Sequence, residues 1–438
     1  NKTDFFSLLF SCLFFIISLF FYFNNYSTVF ISSFGLLITL IFVLKFSNCP
    51  PVFLLFVFAL FYNIDAFKFY NSDVYLAIYP EFQEKDLVNR VLIYQNIFIF
   101  FFGSSIPSTI NQQKFNYNFK KIKNIYIFFI SMTLCLLAIL FGTSGQNILE
   151  SGLYNVAQES KSSLNEYFIL FYCFLYLSRP KNIKKYNLIL FSIFSFYVIK
   201  NLLYGGRIEI LQLCLLMLLL KYTNYIKKKY LISLILIGTY LSLVFSFIRN
   251  NILDFLTGDN VFKYFNPINF LNTGSSVNIN YLASNQGDVI HSSSRILGLI
   301  EEGFLGTVER LFSFGYYLTS SFIGFIIKLP DYWNVAIFKQ EIYQSGGGAL
   351  ISTYFYTWMG VVGPALAGLF IGFVIKQGYI TNSNYVKIYL ILILCSYPRW
   401  IAYSPIHLFK FCIYGVIVYF IFELITKTII KIQKFNQI

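Results

Sequence analysis

Long apolar runs recur along almost the whole chain and constrain its fold more than any other feature. A helix of about 20 apolar residues crosses the hydrocarbon core of a bilayer. Only 12% of the 438 residues are charged, about half the share in a soluble domain, so the bilayer must solvate most of the surface. The runs predict an all-α polytopic integral membrane protein with about 12 transmembrane helices, at residues 5–23, 28–45, 51–67, 90–104, 124–142, 165–178, 187–204, 208–222, 230–248, 351–375, 387–400 and 405–425.

The basic residues orient these helices. If both termini are cytoplasmic, the loops on that side carry 19 of the 33 Lys and Arg residues but only Asp4 and Glu423 of the 19 acids. This asymmetry follows the positive-inside rule. The first run has no cleavage-site pattern after it, so we predict that it is retained. The sequence thus predicts a multi-pass protein with both termini in the cytoplasm.

One outer loop, residues 249–350, is much longer than the others. It separates an N-terminal membrane bundle at 1–248 from C-terminal membrane helices and a cytoplasmic tail at 351–438. Residues 266–291 are rich in Asn, Ser and Gly and predict an ordered loop. From Arg295 to Phe314 apolar residues recur at helical spacing, which predicts amphipathic helices at the membrane surface.

Composition excludes several other functions. The net charge of +14 lies in short clusters between apolar runs, which encodes topology rather than nucleic-acid binding. Most of the seven cysteines fall in apolar segments, none forms a CxxC pair, and the chain has only two histidines. We therefore predict no disulfide framework, no metal site and no cofactor.

Charged residues near the outer ends of the helices are the candidate site. Ionisable side chains at membrane depth are costly and usually functional. A single outward-facing cationic pocket explains them, and pyrophosphate is its natural ligand because guanidinium groups bind phosphate oxygens in pairs. The predicted pocket contains Arg90, Lys200, Arg207, Glu209, Arg249, Arg295, Arg399, His407 and Lys410, with the backbone of Gly346, Gly347 and Gly348 as a further anion site.

Other interpretations of these residues stay open. Arg90 and Arg249 fit interface anchors whose charged ends reach the headgroups, and Arg207 with Glu209 fits a structural ion pair. Lys200 and Arg207 share a helix face only if one kinked helix continues through the intervening glycines. That long helix competes with two separate ones.

Two short motifs resemble a known family. Residues 204–209, Tyr-Gly-Gly-Arg-Ile-Glu, are similar to the Gly-rich, Arg-bearing turn of Wzy-type O-antigen polymerases. Residues 353–363 are similar to that family's late span, in which an aromatic segment precedes Gly-x-x-Gly. The glutamate often found early in that span is replaced here by Ser352 and Thr353. The long outer loop before the last spans also resembles the family's layout.

This resemblance implies a reaction and its location. Such enzymes transfer a growing glycan from undecaprenyl pyrophosphate to the sugar end of another lipid-linked repeat unit. They work at the periplasmic face of the bacterial inner membrane, and the lipid pyrophosphate is the leaving group. The implied partners are the lipid-linked glycans, membrane lipid and a chain-length regulator protein.

The predicted chemistry is electrostatic. Arg207, Arg249 and Arg399 are expected to stabilise the negative charge that develops on the pyrophosphate, and Glu209 or His407 is the candidate base for the acceptor hydroxyl. A carboxylate beside Arg207 stays ionised and weakly basic, so a mechanism without a dedicated base is also open.

Three other functions compete with polymerisation. An O-antigen ligase shares the layout and the cationic outer site but transfers the glycan to a lipid A core. A lipid-linked oligosaccharide flippase suits the number of helices, although the chain has no internal repeat. Dolichol-phosphate-type glycosyltransferases carry acidic residues in a large first outer loop, whereas that loop here is only Asn24–Ser27.

Overall fold

The fold is described from a computed structural model. It describes residues 14, 17, 28–71, 85–112, 119–142, 164–180, 184–203, 206–222, 228–250, 285–319, 333–343 and 348–435. Every regular element in these ranges is helical, which confirms the all-α fold class. The first predicted span, residues 5–23, lies outside the described residues except for Phe14 and Ile17.

Helices occupy the described parts of the predicted apolar runs, and three more lie within the predicted loop 249–350. In chain order they are α1 Thr28–Lys45, α2 Pro50–Asn71, α3 Lys85–Ser105, α4 Ile125–Phe141, α5 Leu164–Ser178, α6 Lys184–Leu203, α7 Arg207–Met217, α8 Lys228–Asn250, α9 Asn285–Glu301, α10 Thr307–Thr319, α11 Val335–Ile342, α12 Ile351–Met359, α13 Gly363–Ile380, α14 Asn384–Cys395, α15 Tyr397–Trp400 and α16 Cys412–Phe435. Two π-helical turns, Leu218–Tyr222 and His407–Phe411, follow α7 and precede α16.

Membrane association follows from length and composition. Four helical stretches among the described residues are long and apolar enough to cross a membrane: Pro50–Lys68, Lys85–Ser105, Ile351–Ile380 and His407–Ile432. Five shorter apolar helices accompany them, including Ile125–Phe141 and Leu164–Ser178. At about 1.5 Å per residue these are shorter than the roughly 30 Å hydrocarbon core. The count of twelve spans therefore stays a prediction.

The described chain packs as two units, each built from separated segments. Unit 1 comprises Asn1–Lys114, Gly274–Thr381 and Ser396–Lys410, and unit 2 comprises Phe115–Thr273, Asn382–Cys395 and Phe411–Ile438. Unit 1 therefore contains α1–α3, α9–α13 and α15, whereas unit 2 contains α4–α8, α14 and α16. The predicted division at residues 248 and 350 remains untested.

Close helix packing forms the core of unit 1. α13 lies against α3 through two glycines four residues apart. A Cβ on Gly368 would lie 2.6 Å from the carbonyl oxygen of Phe98, and one on Gly372 would collide with Ser105 Oγ. Small residues at this spacing allow backbones to approach closely in a membrane, where dispersion replaces the hydrophobic effect as the packing force.

A break divides the longest apolar stretch of unit 1. α12 ends at Met359, and Gly360 follows with a φ of 65°, a left-handed conformation that glycine adopts without strain. After a 3₁₀ turn, α13 begins at Gly363 with Pro364 in its first turn. The two glycines that resemble the family's Gly-x-x-Gly thus mark a helix break inside a candidate span.

The segment predicted as an ordered loop is partly helical. α9 begins at Asn285, so residues 285–291 belong to a helix rather than to a loop, which corrects the prediction. Ser293 Oγ donates to the carbonyl oxygen of Val289 at 2.7 Å, and the apolar side chains of Val289 and Ile290 are buried. Packing therefore overrides the loop preference of the Asn-rich and Ser-rich composition. The predicted helical stretch 295–314 is interrupted between α9 and α10.

Aromatic packing and a buried carboxylate organise unit 2. The rings of Phe168 on α5 and Tyr197 on α6 stack with centroids 3.6 Å apart. Glu423 on α16 accepts hydrogen bonds from Lys121, Tyr385 and Lys427, at 3.1, 3.1 and 3.0 Å. The carboxylate thus links the segment before α4, α14 and its own helix.

Candidate functional site

The predicted site residues divide between the two units. The side chains of Arg207 and Arg249, and the whole of Gly346 and Gly347, lie outside the described residues. That all the predicted residues line one pocket therefore stays a prediction. Unit 1 contains Arg90, Arg295, Gly348, Arg399, His407 and Lys410, and unit 2 contains Lys200, Arg207, Glu209 and Arg249.

Unit 1 buries a cluster of basic side chains between α9 and α11. His291 and Arg295 lie four residues apart on one face of α9, and Lys339 projects from α11. Their exposed fractions are 3%, 2% and 0%. Burial, together with the positive charges of Arg295 and Lys339, lowers the pKa of His291 to about 4. The imidazole is therefore neutral at pH 7, beside the Arg295 guanidinium and the Lys339 amine. We call His291, Arg295 and Lys339 the basic cluster.

Polar contacts fix the basic cluster to the start of α12. Lys339 Nζ donates to Ser292 Oγ, and it donates to the carbonyl oxygen of Gly348 at 3.1 Å. The backbone N–H of Leu350 donates to Ser293 Oγ at 2.8 Å. Two adjacent serines of α9 thus hold α11 and the segment that leads into α12.

The segment after α15 packs on the other side of Gly348. A Cβ on Gly348 would lie 2.7 Å from a ring carbon of Tyr403, so only glycine fits there without movement. The Arg399 guanidinium lies over the Tyr403 ring, 5.9 Å from its centroid. The N–H of Ile351 also donates to the carbonyl oxygen of Ile401 at 2.8 Å. Of the predicted residues, Arg295, Gly348 and Arg399 are therefore brought into one region.

The other predicted residues of unit 1 have separate environments. Arg90 on α3 forms an ion pair with Glu301 at the end of α9, and both side chains are partly exposed. Arg90 thereby anchors α9 to α3. His407 and Lys410 lie in the π-helical turn before α16, where His407 is buried and Lys410 is half-buried. Their roles in catalysis and binding stay predictions.

Unit 2 gives Lys200 a structural position. Its ammonium donates to the carbonyl oxygen of Ile139 at 2.5 Å and to that of Gly142. Both carbonyl groups lie at the C-terminal end of α4. α6 ends at Leu203 and α7 begins at Arg207, so the chain forms two helices and not one kinked helix. The condition under which Lys200 and Arg207 would share a face is therefore not met.

Gly206, which precedes α7, lies beside a buried carboxyl group. Glu209 is 7% exposed. A Cβ on Gly206 would lie 2.4 Å from Asn201 Oδ1 and 3.1 Å from Glu209 Oε2. The side chains of Asn201 and Glu209 therefore both lie close to Gly206, and a side chain at this position would displace them.

Sequence reasoning missed His291, Ser292 and Lys339. Lys339 precedes Gln340 and Glu341 and so reads as part of a solvated charged run. Its spacing held the signal: Lys339 lies four residues after Val335 and three after Ala336, both buried, which places it on the inner face of α11. The corresponding signal in α9 was hidden by the loop-like composition around His291.

The basic cluster is chemically suited to anions. Arg and Lys side chains bind phosphate oxygens through charge-assisted hydrogen bonds, and the attraction is stronger where water is excluded. Among the described residues, no group of three or more His, Cys, Asp or Glu side chains is placed to hold a metal ion. The sequence matches no protein-family model, and no curated protein or solved structure is significantly similar to it.

Proposed function

We propose that this chain polymerises oligosaccharide repeat units carried on undecaprenyl pyrophosphate. The reaction is glycosyl transfer without a metal or cofactor, and the lipid pyrophosphate is the leaving group. The proposal includes about twelve spans in a bacterial inner membrane, cytoplasmic termini and an active site that faces the periplasm. A chain-length regulator protein is the proposed protein partner.

The observation that carries this proposal is the burial of Arg295 and Lys339 together, with Gly348 linking Lys339 to the turn that contains Arg399. The buried Arg295 guanidinium is costly, and burial lowers the pKa of Lys339 to about 7. A multiply charged anion would stabilise the guanidinium and the protonated form of Lys339. Breaking the bond between the sugar and pyrophosphate develops negative charge on the pyrophosphate, which fixed cations stabilise without reorganising. The resemblance in residues 204–209 and 353–363 supports the same reaction.

Deletion and complementation in the host test this function. The chromosomal copy is removed, and the surface polysaccharide is compared by gel after complementation with wild type, Arg295→Gln, Arg295→Lys or Arg399→Gln. We expect a ladder with wild type and a single repeat unit on the lipid core with either Gln variant. Loss of one transition-state cation lowers turnover by roughly 100-fold or more. Arg295→Lys keeps the charge and should retain short chains.

A matched control makes the result specific. Arg179 contacts Asn187 and Tyr176 in unit 2, and Arg179→Gln makes the same chemical change in a residue that is not part of the basic cluster. It should restore a full ladder, and all variants should reach the same membrane level. Long chains accumulating on undecaprenyl pyrophosphate, with none on the lipid core, would identify a ligase instead. Unpolymerised units accumulating on the cytoplasmic side would identify a flippase.

A further inference from the structure

Several helix ends of unit 2 meet in one region. The backbone N–H of Asn124, which precedes α4, donates to the carbonyl oxygen of Ser178, the last residue of α5, at 3.1 Å. The hydroxyl of Tyr176, near the same end of α5, donates to the carbonyl oxygen of Leu220 in the turn after α7 at 3.4 Å. The start of α4 and the ends of α5 and α7 therefore lie together.

Two ring contacts add α6 and α16 to this region. The ring centroids of Phe128 on α4 and Tyr186 in the first turn of α6 are 5.1 Å apart. Phe119, before α4, packs edge-on against Tyr419 of α16 with centroids 5.8 Å apart. Exposed lysines surround these contacts, and we call them the basic end of unit 2: Lys121, Lys123, Lys184, Lys185, Lys221, Lys427 and Lys431.

Acidic side chains do not balance these lysines. The acidic residues among the described part of unit 2 are Glu166, Glu209 and Glu423. Glu166 and Glu209 lie in the first turns of α5 and α7, so the length of a helix separates each from the basic end. Glu423 does belong to this region, but it is buried and accepts three hydrogen bonds. Among the described residues, the exposed charge at the basic end is therefore positive.

Glu423 holds two of these lysines side by side. The Nζ atoms of Lys121 and Lys427 lie 3.1 and 3.0 Å from the same carboxylate oxygen, Oε1. Both side chains nevertheless stay exposed, at 63% and 65%. An ammonium group has three N–H donors, and the contact with Glu423 uses one donor of each lysine. Two neighbouring, fixed ammonium groups can therefore donate to one acceptor outside the protein.

The apolar surface beside the lysines indicates what that acceptor is. Tyr126 follows Lys123 by three residues at the start of α4 and is 55% exposed. Leu188 follows Lys184 by four residues on α6 and is 66% exposed. Exposed lysines one helical turn from exposed apolar side chains are typical of the boundary between hydrocarbon and headgroups. The acceptors at that boundary are the phosphate groups of lipids.

We propose that the basic end of unit 2 binds the headgroups of anionic phospholipids, and that Lys121 and Lys427 share one phosphate group. This inference is independent of the proposed polymerisation. Each cation near an anionic leaflet strengthens the association about fivefold, and side chains that are already held in place lose little freedom on binding. Phosphatidylcholine carries a cationic group that the lysines repel, so phosphatidylglycerol should bind more tightly.

Spin-labelled lipids measure this preference. The purified full chain is reconstituted into phosphatidylcholine vesicles that contain a trace of chain-labelled phosphatidylglycerol or phosphatidylcholine. Electron spin resonance then gives the ratio of the two association constants. We expect the wild type to prefer phosphatidylglycerol about threefold or more at low salt, and high salt should remove the preference by screening. Lys121→Gln/Lys427→Gln should lose at least half of it.

Two further variants keep the test decisive. Lys123→Gln/Lys431→Gln leaves the contacts of Glu423 intact and should also weaken the preference. Lys68→Gln is the matched control and should keep it, because Lys68 is an exposed lysine of unit 1 that likewise contacts a carboxylate, that of Asp65 at 3.6 Å. Equal association constants for the two lipids in the wild type, or an unchanged preference in both double variants, would overturn the proposal. Displacement of the labelled phosphatidylglycerol by inorganic phosphate would also overturn it, since the site would then bind free phosphate.

Discussion

Among the described residues, three basic side chains donate hydrogen bonds to the last carbonyl groups of a helix other than their own. Lys45 Nζ lies 2.9 and 3.1 Å from two carbonyl oxygens at the end of α3. Lys200 donates in the same way to a carbonyl oxygen at the end of α4, and Arg310 to one at the end of α12. The last carbonyl groups of a helix lack internal donors and carry partial negative charge. These cations therefore neutralise backbone dipoles, a different role from that proposed for Arg295 and Lys339.

Arg310→Gln is expected to destabilise the protein. The guanidinium donates from Nε to the Thr357 carbonyl oxygen at 2.5 Å and from a terminal nitrogen to that of Tyr356 at 3.2 Å. Loss of hydrogen bonds from a charged donor costs about 2 kcal/mol, so the melting temperature in detergent should fall by several degrees. Arg179→Gln serves as the control, and an equal fall in both variants would contradict this role.

Lys339→Met should change how stability depends on pH. Between pH 7 and 10.5 the unfolded chain binds a proton that the folded Lys339 releases. The free energy of unfolding of the wild type therefore rises with pH across this window, by at most about 1.4 kcal/mol per unit. Below pH 7 both states hold the proton and the stabilising contribution is lost.

Thermal unfolding at pH 7 and pH 9 measures this effect. Lys339→Met also loses the hydrogen bonds of Nζ, including those to Ser292 and Gly348, but that loss is the same at both pH values. The melting temperature of the variant relative to that of the wild type should therefore be higher at pH 7 than at pH 9. Parallel changes in melting temperature would show that Lys339 keeps an ordinary pKa.

Sequence could predict some members of the site and not others. Arg295 and Arg399 were predictable because a charge within an apolar context stands out. Lys339 did not stand out, because burial of a lysine depends on Ser292 and Gly348, which lie 47 and 9 residues away. These contacts are not visible in the sequence, where only the spacing of Lys339 from Val335 and Ala336 indicates the inner face of α11.

Element boundaries were predictable wherever an apolar run ended in polar residues. α1, α5 and α8 follow predicted spans within a few residues. The break at Gly360 was not predicted, because the residues on both sides of it are apolar and 351–375 was predicted as one span. What ends α12 is a left-handed glycine together with the Arg310 guanidinium from another helix, and neither effect is visible in hydropathy.

Gly368→Leu should disrupt the packing of α13 against α3. Its side chain would meet backbone atoms of Phe98 and Phe102 at 2.6 and 2.7 Å, which cannot yield as a flexible side chain can. Overpacking of this kind costs about 1–3 kcal/mol. Gly238→Leu on α8 is the matched control, because a Cβ there has no atom within 4 Å. Similar melting temperatures for both variants would contradict the packing role.

At the scale of the whole molecule, each unit draws on distant parts of the chain. Unit 1 joins the first three described helices to α9–α13, although more than 150 residues separate them in sequence. Hydropathy predicts which segments are helical but carries no information on which helices pack together. The resulting membrane topology is still testable as a whole.

Fusion reporters are expected to place both termini in the cytoplasm. A fluorescent protein that folds only in the cytoplasm should fluoresce at the C-terminus, where Lys427 and Lys431 follow the predicted span 405–425. An alkaline phosphatase inserted after Glu302 should be active, because that enzyme requires the periplasm. An inactive phosphatase at that position would reverse the predicted orientation of the loop 249–350.

The broken helix also has a consequence for biosynthesis. α12 ends inside a stretch that is apolar enough to insert into the bilayer, so its terminal carbonyl groups would face lipid if they lacked a donor. Arg310 leaves the ribosome about 45 residues earlier and is available when α12 inserts. In a circular permutant in which α12 precedes α10, the last carbonyl groups of α12 would lack the Arg310 donor when the helix inserts. Membrane proteases are expected to degrade this form before the chain is complete.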